Sequence, residues 1–592
     1  MAEVVFRFSP RPNRAAEIPW QPFSPEVFAQ AEAEGKLVLL SISAVWCHWC
    51  HVMDETTYSD DAVIARLSRD FIPVRVDNDQ RPDVNLRYNL GGWPTTAVLT
   101  PRGEILAGGT YLNPEQLLSL LDQAQAYWQE HREEVLAAQN PPAPVPLKRD
   151  ATQPQPAAVN QVVEAIRQQF DRAYGGLGLQ PKFPLPDVWH LCLQHYLTVG
   201  DSPAAGMAIR TLDAMAGSRL FDPVAGGFFR YSTTREWTVP HYEKMLEDNA
   251  QLAIVYLRAF QILADEAYRQ VANAVLTWAN RTLITPEGLW GGSQDADEAY
   301  YQQDPEARQK LTPPRVDPVI HTNANAWMVS AQLLAAALIN PGVYAPTAFT
   351  ALEALWDRMW DPERGLYHYD DGTPSLPGLL VDVAALANAL LDGYEYSGDP
   401  IFVERATALL HWADQHLYDG TAYYDQIEDP SRQAGRLQYR QHPLADNAAM
   451  ARFLWRLGLI QEDTALITRA QALLGAFEEF AAAQGVFGAP WALVAEGINT
   501  PLLSLTVVES DHRPGHTLRQ AAAAVYAPNR LLRTVKQGTE AFRAGGYAEV
   551  PMPALYLCRG TVCAAPITTP EGIAPALQRL LQAEVNAPTS PT

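Results

Sequence analysis

Leu37-Val38-Leu39-Leu40-Ser41-Ile42 runs through Ser43-Ala44-Val45 into Trp46-Cys47-His48-Trp49-Cys50-His51, and this stretch decides the fold of the first part of the chain. A short, unbroken apolar run reads as a buried strand, and here it delivers two thiols three positions apart. If a helix starts at the second Cys, Cys47 stands at its N-terminus, where unpaired backbone N–H groups and the macrodipole favour a thiolate. That is the arrangement of a redox dithiol, with Cys47 the nucleophile, accessible and acidic, and Cys50 the protected, resolving thiol. Cys47, Cys50 and either His48 or His51 could instead supply three zinc ligands. With Cys192 the only other Cys before residue 558, the dithiol reading is preferred and no metal is expected.

Downstream, Phe71-Ile72-Pro73-Val74-Arg75-Val76-Asp77 reads as a second buried strand and Thr95-Thr96-Ala97-Val98-Leu99-Thr100 as a third, preceded by Gly91-Gly92-Trp93-Pro94. The order of elements is thioredoxin-like. In that fold a cis-proline opens the strand facing the dithiol, and Pro94 stands in that place. Arg102-Gly103-Glu104 turns the chain into Ile105 to Tyr111, and an amphipathic helix from about Pro114 to Ala137 closes the domain. Trp46, Trp49 and Trp93 give the sulfurs a bulky apolar surround, which suits a specific partner. His48, if protonated, stabilises the Cys47 thiolate. Thioredoxins carry a buried acid six residues before the first Cys; Ser41 occupies that position here, which argues against efficient general disulfide reduction.

Composition narrows the partners. Across 592 residues, Lys+Arg 44 against Asp+Glu 67 give a formal net charge of −23, whereas nucleic acid phosphates and anionic lipid both require a basic face. Neither nucleic acid nor membrane is an expected partner, and no cofactor is called for. The N-terminus lacks a basic segment followed by a long apolar run, and no apolar stretch is long enough to span a bilayer, so the expected location is cytoplasmic. Five Cys do not make a disulfide scaffold there, and any pair that oxidises is catalytic or regulatory.

A chain of this length exceeds a single hydrophobic core. Pro141-Pro142-Ala143-Pro144-Val145-Pro146 and the polar run to Pro156 lack helical or strand period and read as an extended linker. The expected division is 1–140 for the first domain, 141–156 for the linker, 157–500 for a helical domain and 501–592 for a small α/β extension. In 157–500, apolar residues recur at helical spacing, as in Val159 to Phe170 and Leu246 to Leu263. Glycine–aromatic turns punctuate them: Gly175-Gly176-Leu177-Gly178, Gly226-Gly227-Phe228-Phe229, Gly288-Leu289-Trp290-Gly291, Gly365-Leu366-Tyr367, Ala422-Tyr423-Tyr424 and Gly485-Val486-Phe487. Intervals of roughly 50 to 75 residues suit a pair of helices plus a loop per unit. Six units can close an (α/α)6 toroid, and an open solenoid would show the same period.

Several motifs together carry a family resemblance. C-H-W-C-H-V-M, V-D-N-D-Q-R-P-D at Val76 to Asp83, G-G-W-P, L-T-P-R-G and G-G-T-Y in the first domain are followed by P-K-F-P at Pro181 to Pro184, G-G-F-F-R-Y at Gly226 to Tyr231, P-H-Y-E-K-M-L-E-D-N at Pro240 to Asn249 and C-R-G-T-V-C at Cys558 to Cys563. The chain resembles the spermatogenesis-associated thioredoxin-domain family over nearly its whole length. The resemblance implies a thioredoxin-like domain joined to a closed toroid similar to six-hairpin glycosidases and sugar epimerases.

Toroids of that type carry chemistry in the loops at one mouth. His241, Glu243, Glu247 and Asp248 form one candidate group, read as the start of a helix on which Glu243 and Glu247 share a face; the alternative is a solvated helix start with Lys244 as counter-charge. Asp295 and Asp297, next to Gln294, form a second, suited to glycoside hydrolysis or to calcium, which lacks its loop pattern here. Asp382 and Asp446-Asn447 also match family positions, with an N-cap as the alternative. An epimerase would set two histidines across a sugar carbon, His241 and His321 being the candidates. Phe228, Tyr231, Tyr242 and Trp290 offer apolar faces to a neutral or amino sugar, and the excess of acid disfavours a uronic acid. For the dithiol, the partner is a disulfide-containing protein or the intrachain Cys558/Cys563 pair. Two functions follow: a thiol–disulfide oxidoreductase fused to a carbohydrate-active or carbohydrate-binding toroid, or a non-catalytic toroid serving as a scaffold beside a redox-regulatory dithiol.

Overall fold

The structure is a computed structural model that describes residues 6–138, 142–547 and 550–585. Met1 to Val5, Pro141 of the linker and the last seven residues of the extension lie outside that range. Strand Leu37–Ser43 is buried along its whole length and lies inside a four-stranded sheet. It pairs in parallel with Phe71–Asp77 and antiparallel with Thr95–Leu99, which pairs with the edge strand Ile105–Gly109. An inner strand is apolar on both faces because each face feeds a core. Val38, Leu40 and Ile42 pack with Phe23, Phe28 and Tyr88, whereas Leu37 and Leu39 pack with Met53, Leu67 and Trp128. The Trp93–Pro94 peptide is cis and Pro94 leads into the third strand. Helix Pro114–Ala137 starts on an Asn113–Gln116 capping box and closes the domain.

Beyond the linker, six helices form an inner ring: Pro186–Val199, Leu246–Leu263, Thr322–Leu338, Leu380–Ser397, Leu444–Gln461 and Ala489–Ile498. Each packs on the next, and the last returns to the first. Outside them stand Ser202–Ala216, Glu266–Thr282, Pro341–Met359, Ile401–His416 and Thr464–Ala483, each the hairpin mate of the inner helix before it. Pro156–Gln169 is the sixth, the mate of Ala489–Ile498, so the two ends of the segment share one hairpin and the ring closes. The helical domain is an (α/α)6 toroid and not an open solenoid.

The glycine–aromatic turns hold this ring together from inside. Asn249, Asn325 and Asn447 each occupy the fourth position of an inner helix. Each accepts from, and donates to, the backbone of the turn's aromatic residue, Phe228, Trp290 and Tyr423 respectively. Two buried ion pairs repeat the theme: Lys182 reaches Asp171 at 2.7 Å, and Lys244 reaches Asp222 at 2.7 Å and the Gly226 carbonyl at 2.8 Å. The P-K-F-P and E-K-M motifs therefore contain the locks of successive turns.

The C-terminal extension repeats the architecture of the first domain. Leu503–Glu509 pairs in parallel with Arg530–Lys536 and antiparallel with Ala554–Arg559, which pairs with Val562–Cys563. Strand order, direction and a cis-proline just before the third strand, Met552–Pro553, all match the N-terminal sheet. The turn after its first strand reads Ser510-Asp511-His512-Arg513, so this thioredoxin-like sheet carries no dithiol at that place. Its own disulfide, Cys558–Cys563, bridges the last hairpin.

The two sheets cap opposite mouths of the toroid. Where the inner helices begin, Arg7 pairs with Asp317 at 2.7 Å and Arg87 with Asp425 at 2.8 Å. Where they end, Arg519 donates to the Ser397 carbonyl at 2.5 Å and Thr534 N–H to the Tyr394 hydroxyl at 3.1 Å. An inner helix of 18 residues spans about 27 Å. Cys558 and Cys563 are thus held at the far end from Cys47 and Cys50, out of reach for direct exchange in this arrangement. No helix among the described residues is long and apolar enough to cross a membrane.

Candidate functional site

Helix His48–Glu55 follows directly on the first strand, with Cys47 as its N-cap and the Cys50 N–H donating to Cys47 Sγ at 3.2 Å. Cys47 and Cys50 are joined as a disulfide. Ser41 lies buried where a thioredoxin has its acid, beside Tyr58. His51 donates from Nε2 to the Val45 carbonyl at 2.7 Å, and burial lowers its pKa, so it stays neutral and orders the turn.

Cys47 is not the accessible thiol expected from the sequence. It is 4% exposed, Cys50 is 2% exposed, and Met245 from the toroid completes their apolar cluster with Trp46. The dithiol faces the toroid because the loops around it dock there. Trp46 donates to Asp79 at 2.5 Å and meets Trp93 edge to face. The guanidinium of toroid residue Arg230 lies 4.5 Å from the Trp46 ring and 4.7 Å from that of Trp93. Trp49, 44% exposed, instead leans on Tyr111 at the outer surface, beside His48.

Under this roof lies a chamber of about 400 Å³. Trp46, Asp79 and Trp93 line it from the lid, and Phe183, Arg230, Glu247, Asp248, His321 and His368 from the toroid. Burial raises Asp79, Glu247 and Asp248 above the usual carboxylate range, and Glu247 is pushed further by the charges of Asp248 and Asp79. Like charges this close share protons instead of all ionising. Burial, followed by neighbouring His368, holds His321 well below the usual imidazole value, and neither of its ring nitrogens has a hydrogen-bond partner among the described residues. His368 differs: Nδ1 donates to Asp382 at 2.9 Å and Nε2 to the Asp79 carbonyl at 2.8 Å. Two donating nitrogens require the doubly protonated ring. Burial opposes that charge, and Asp382 with the Asp79 carbonyl outweighs it, so the His368 pKa is raised. A neutral imidazole in one cavity with carboxyls that hold their protons more tightly than usual offers a base and an acid together.

The sequence candidates scatter around this chamber. Helix Leu246–Leu263 begins after Glu243, so Glu243 and Glu247 share no helix face; Glu243 sits in the preceding extended segment. Glu243 pairs with His241 at 3.5 Å, and His241 stacks on Tyr231, which stacks on Phe183. His241 therefore partners Tyr231 and not His321, whose ring neighbour is His368, 5.8 Å between centroids. Lys244 is no solvated counter-charge but the buried lock on Asp222. Phe228 and Trp290 are wholly buried in the toroid core and present no face to a cavity; Tyr242 packs between Phe229 and Tyr301. Asp295 is buried and pushed up to about 7, beside the Glu243 and Asp317 charges, outside the chamber wall. Asp297 caps the short helix Glu298–Tyr301, and Gln294 accepts from Trp278 at 3.2 Å. Asp382 and Asp446 are third residues of their helices, whose N-caps are Leu379 and Pro443, so neither caps its own helix. Asp382 instead accepts from the Asn323 N–H at 3.1 Å, besides holding His368.

Arg230, His368, Asp79 and Met245 escaped sequence reasoning. Each lies inside or beside a motif that reasoning singled out, G-G-F-F-R-Y, Gly365-Leu366-Tyr367, V-D-N-D and P-H-Y-E-K-M. Their roles arise from docking two domains, which no local pattern encodes.

A thioredoxin-like domain set as a lid over the mouth of an (α/α)6 toroid is the class of protein these features define. Residues 11–142 match the family model described as Thioredox_DsbH, "Protein of unknown function, DUF255". The chain is similar to spermatogenesis-associated protein 20 of Homo sapiens, 35% identical over 354 residues, which cover 54% of this chain and 44% of that protein. An uncharacterized protein of Caenorhabditis elegans is 31% identical over 310 residues, 47% of this chain and 41% of its own. The chain spans less than half the length of these curated relatives. Among solved structures, a sugar epimerase from a ruminal bacterium aligns over 55% of this chain and 86% of its own at 13% identity and TM-score 0.45. Cellobiose 2-epimerase from Bacillus thermoamylovorans aligns over 58% and 99% at 8% identity and TM-score 0.46.

Proposed function

We propose that this chain is a thiol–disulfide oxidoreductase whose dithiol belongs to the lid of a carbohydrate-active toroid. The observation that carries the reading is the shared roof: Trp46 and Trp93 flank the Cys47–Cys50 cluster and also line the chamber that holds Glu247, Asp248 and His321. In the reduced protein, the Cys47 thiolate attacks one sulfur of a partner disulfide, forming a mixed disulfide and expelling the other sulfur as a thiolate. The Cys50 thiolate then attacks Cys47 Sγ and expels the second partner thiolate, leaving Cys47–Cys50 oxidised and the partner reduced by two electrons. With Met245 over the sulfurs, the partner is a small disulfide or an extended segment of a protein. In the chamber, His321 takes a proton from a neutral or amino sugar and a protonated carboxyl supplies one, the logic of epimerisation, while Trp46, Trp93 and Phe183 offer apolar faces. The reading places the protein in the cytoplasm, where a dithiol is kept reduced.

The second reading, a redox-regulatory dithiol beside a toroid that only binds, draws on the burial of both sulfurs against Met245. Cys50→Ser, incubated with glutathione disulfide and mapped by mass spectrometry, tests the redox half: a Cys47-linked adduct is expected, and an unreacted Cys47 removes the oxidoreductase. A sugar panel tests the other half. Turnover lost in His321→Gln supports catalysis; sugar binding without turnover, changed by reduction of the dithiol, favours regulation.

A further inference from the structure

Along the toroid axis lies a second cavity, of about 420 Å³, bordered by residues from all six inner helices. Its ends differ in charge. Asp187 and Asp446, in the first turns of their helices, stand at the end nearer the lid. Arg258, Arg452 and Arg530 border it deeper in, and Arg456 joins them in the adjoining recess beneath the C-terminal domain. The carboxylates there are already engaged: Asp392 accepts from Arg456 at 2.7 Å, and Glu395 accepts from Arg456 at 2.8 Å and from Arg530. Two guanidinium groups are left over. Arg452 makes no hydrogen bond or ion pair among the described residues and feels Asp392, Glu395 and Asp187 at longer range. Arg258 spends Nη1 on Gln261 at 2.7 Å and lies over the Tyr526 ring, while its buried Nε has no partner among the described residues. Nearby His190 bonds Tyr526 through Nε2 at 3.1 Å and burial holds it neutral, so it adds no charge of its own. Arg452 is exposed, and it lines this cavity.

Guanidinium groups on a cavity wall that spend few of their donors on the protein, one of them with a buried and unpartnered Nε, are free to take an anion, and the planar fork of arginine matches an oxyanion. We propose that the axial cavity is an anion-binding site in which Arg452 and Arg258 grip the carboxylate or phosphate of a small hydroxylated molecule. Asp446 lies six residues before Arg452 on one helix, about 9 Å along the axis, the scale of one sugar ring with its charged substituent. Burial pushes the Asp446 carboxyl up to about 7, so it can donate to or accept from a hydroxyl while Arg452 holds the charge.

Isothermal titration of the full chain with glucose 6-phosphate, glucuronate, inorganic phosphate and glucose tests the site. At least one oxyanion-bearing probe is expected to bind in a manner that depends on Arg452, whereas any binding of glucose, which the chamber beneath the lid also accepts, is expected not to depend on it; the phosphate and glucuronate arms tell which oxyanion is preferred. Arg452→Met should weaken the preferred probe by about tenfold or more and leave the ligand-free melting temperature little changed, since the side chain makes no hydrogen bond or ion pair among the described residues. Arg258→Met, which leaves Arg452 in place, decides if the first variant does not fold. Binding of none of the oxyanion-bearing probes, their full affinity in both variants, or a loss of glucose binding in Arg452→Met as large as theirs would overturn the proposal.

Discussion

Replacing Arg230 by Ala should unlock the dithiol. Its guanidinium sits 4.5 Å and 4.7 Å from the rings of Trp46 and Trp93, and a cation–π contact at a partly desolvated site contributes about 1 kcal/mol. Losing both lowers the local cost of lifting the lid loops off Met245 by about 2 kcal/mol, which raises the open population by about 30-fold. Alkylation of the reduced protein by iodoacetamide reads that population when opening and closing are fast compared with reaction. Cys47 should therefore label about 30-fold faster in Arg230→Ala, with overall unfolding little changed and Arg230→Lys falling between, because lysine keeps the charge and loses the stacked plane. An unchanged rate in Arg230→Ala, or a wild-type rate already equal to that of the unfolded chain, would refute the idea that this contact guards the sulfurs.

Lys244→Met should lower the melting temperature of the toroid, since Asp222 and the Gly226 carbonyl lose a charged donor, a loss of about 1.5–3 kcal/mol, while Arg308 and the Val224 N–H still hold Asp222; differential scanning calorimetry checks it. Asn325→Ala should cost about 2 kcal/mol, because the Trp290 N–H and carbonyl lose their partner, and the emission of Trp290 should shift as its turn loosens. Asp446 has a folded pKa raised above its unfolded value, so the folded state holds the extra proton and stability falls as pH rises from about 4 to about 7. With cavity water screening the shift, that part is about 1–2 kcal/mol, and Asp446→Asn should show a smaller loss of melting temperature between pH 5 and 8 than the parent.

Much of the first domain was legible because each signal was local: an apolar run, C-x-x-C, and a proline before the third strand. The toroid was legible as a repeat, but the repeat alone makes its aromatic residues look like ligand platforms, whereas Phe228 and Trp290 are pegs held by Asn249 and Asn325. Spacing shows that an aromatic recurs and not whether its face is covered. The Glu243–Glu247 helix failed for a similar reason: the four-residue spacing fits a helix, yet the extended pairing of Lys244-Met245 with Ser293-Gln294 claims the residues in between. The symmetry of the C-terminal sheet with the first escaped notice because its strands keep the order while the dithiol, the only strong motif, is missing. The chamber itself depends on Asp79, Arg230 and Met245 meeting across a domain boundary.

Hydrogen exchange of the oxidised and the dithiothreitol-reduced protein, compared peptide by peptide, tests most directly whether the dithiol and the toroid mouth form one site. Reduction should alter protection not only at 44–55 and 91–95 but also in toroid segments 240–249 and 321–324, through Met245 and the chamber wall. Changes confined to the thioredoxin-like domain would contradict it.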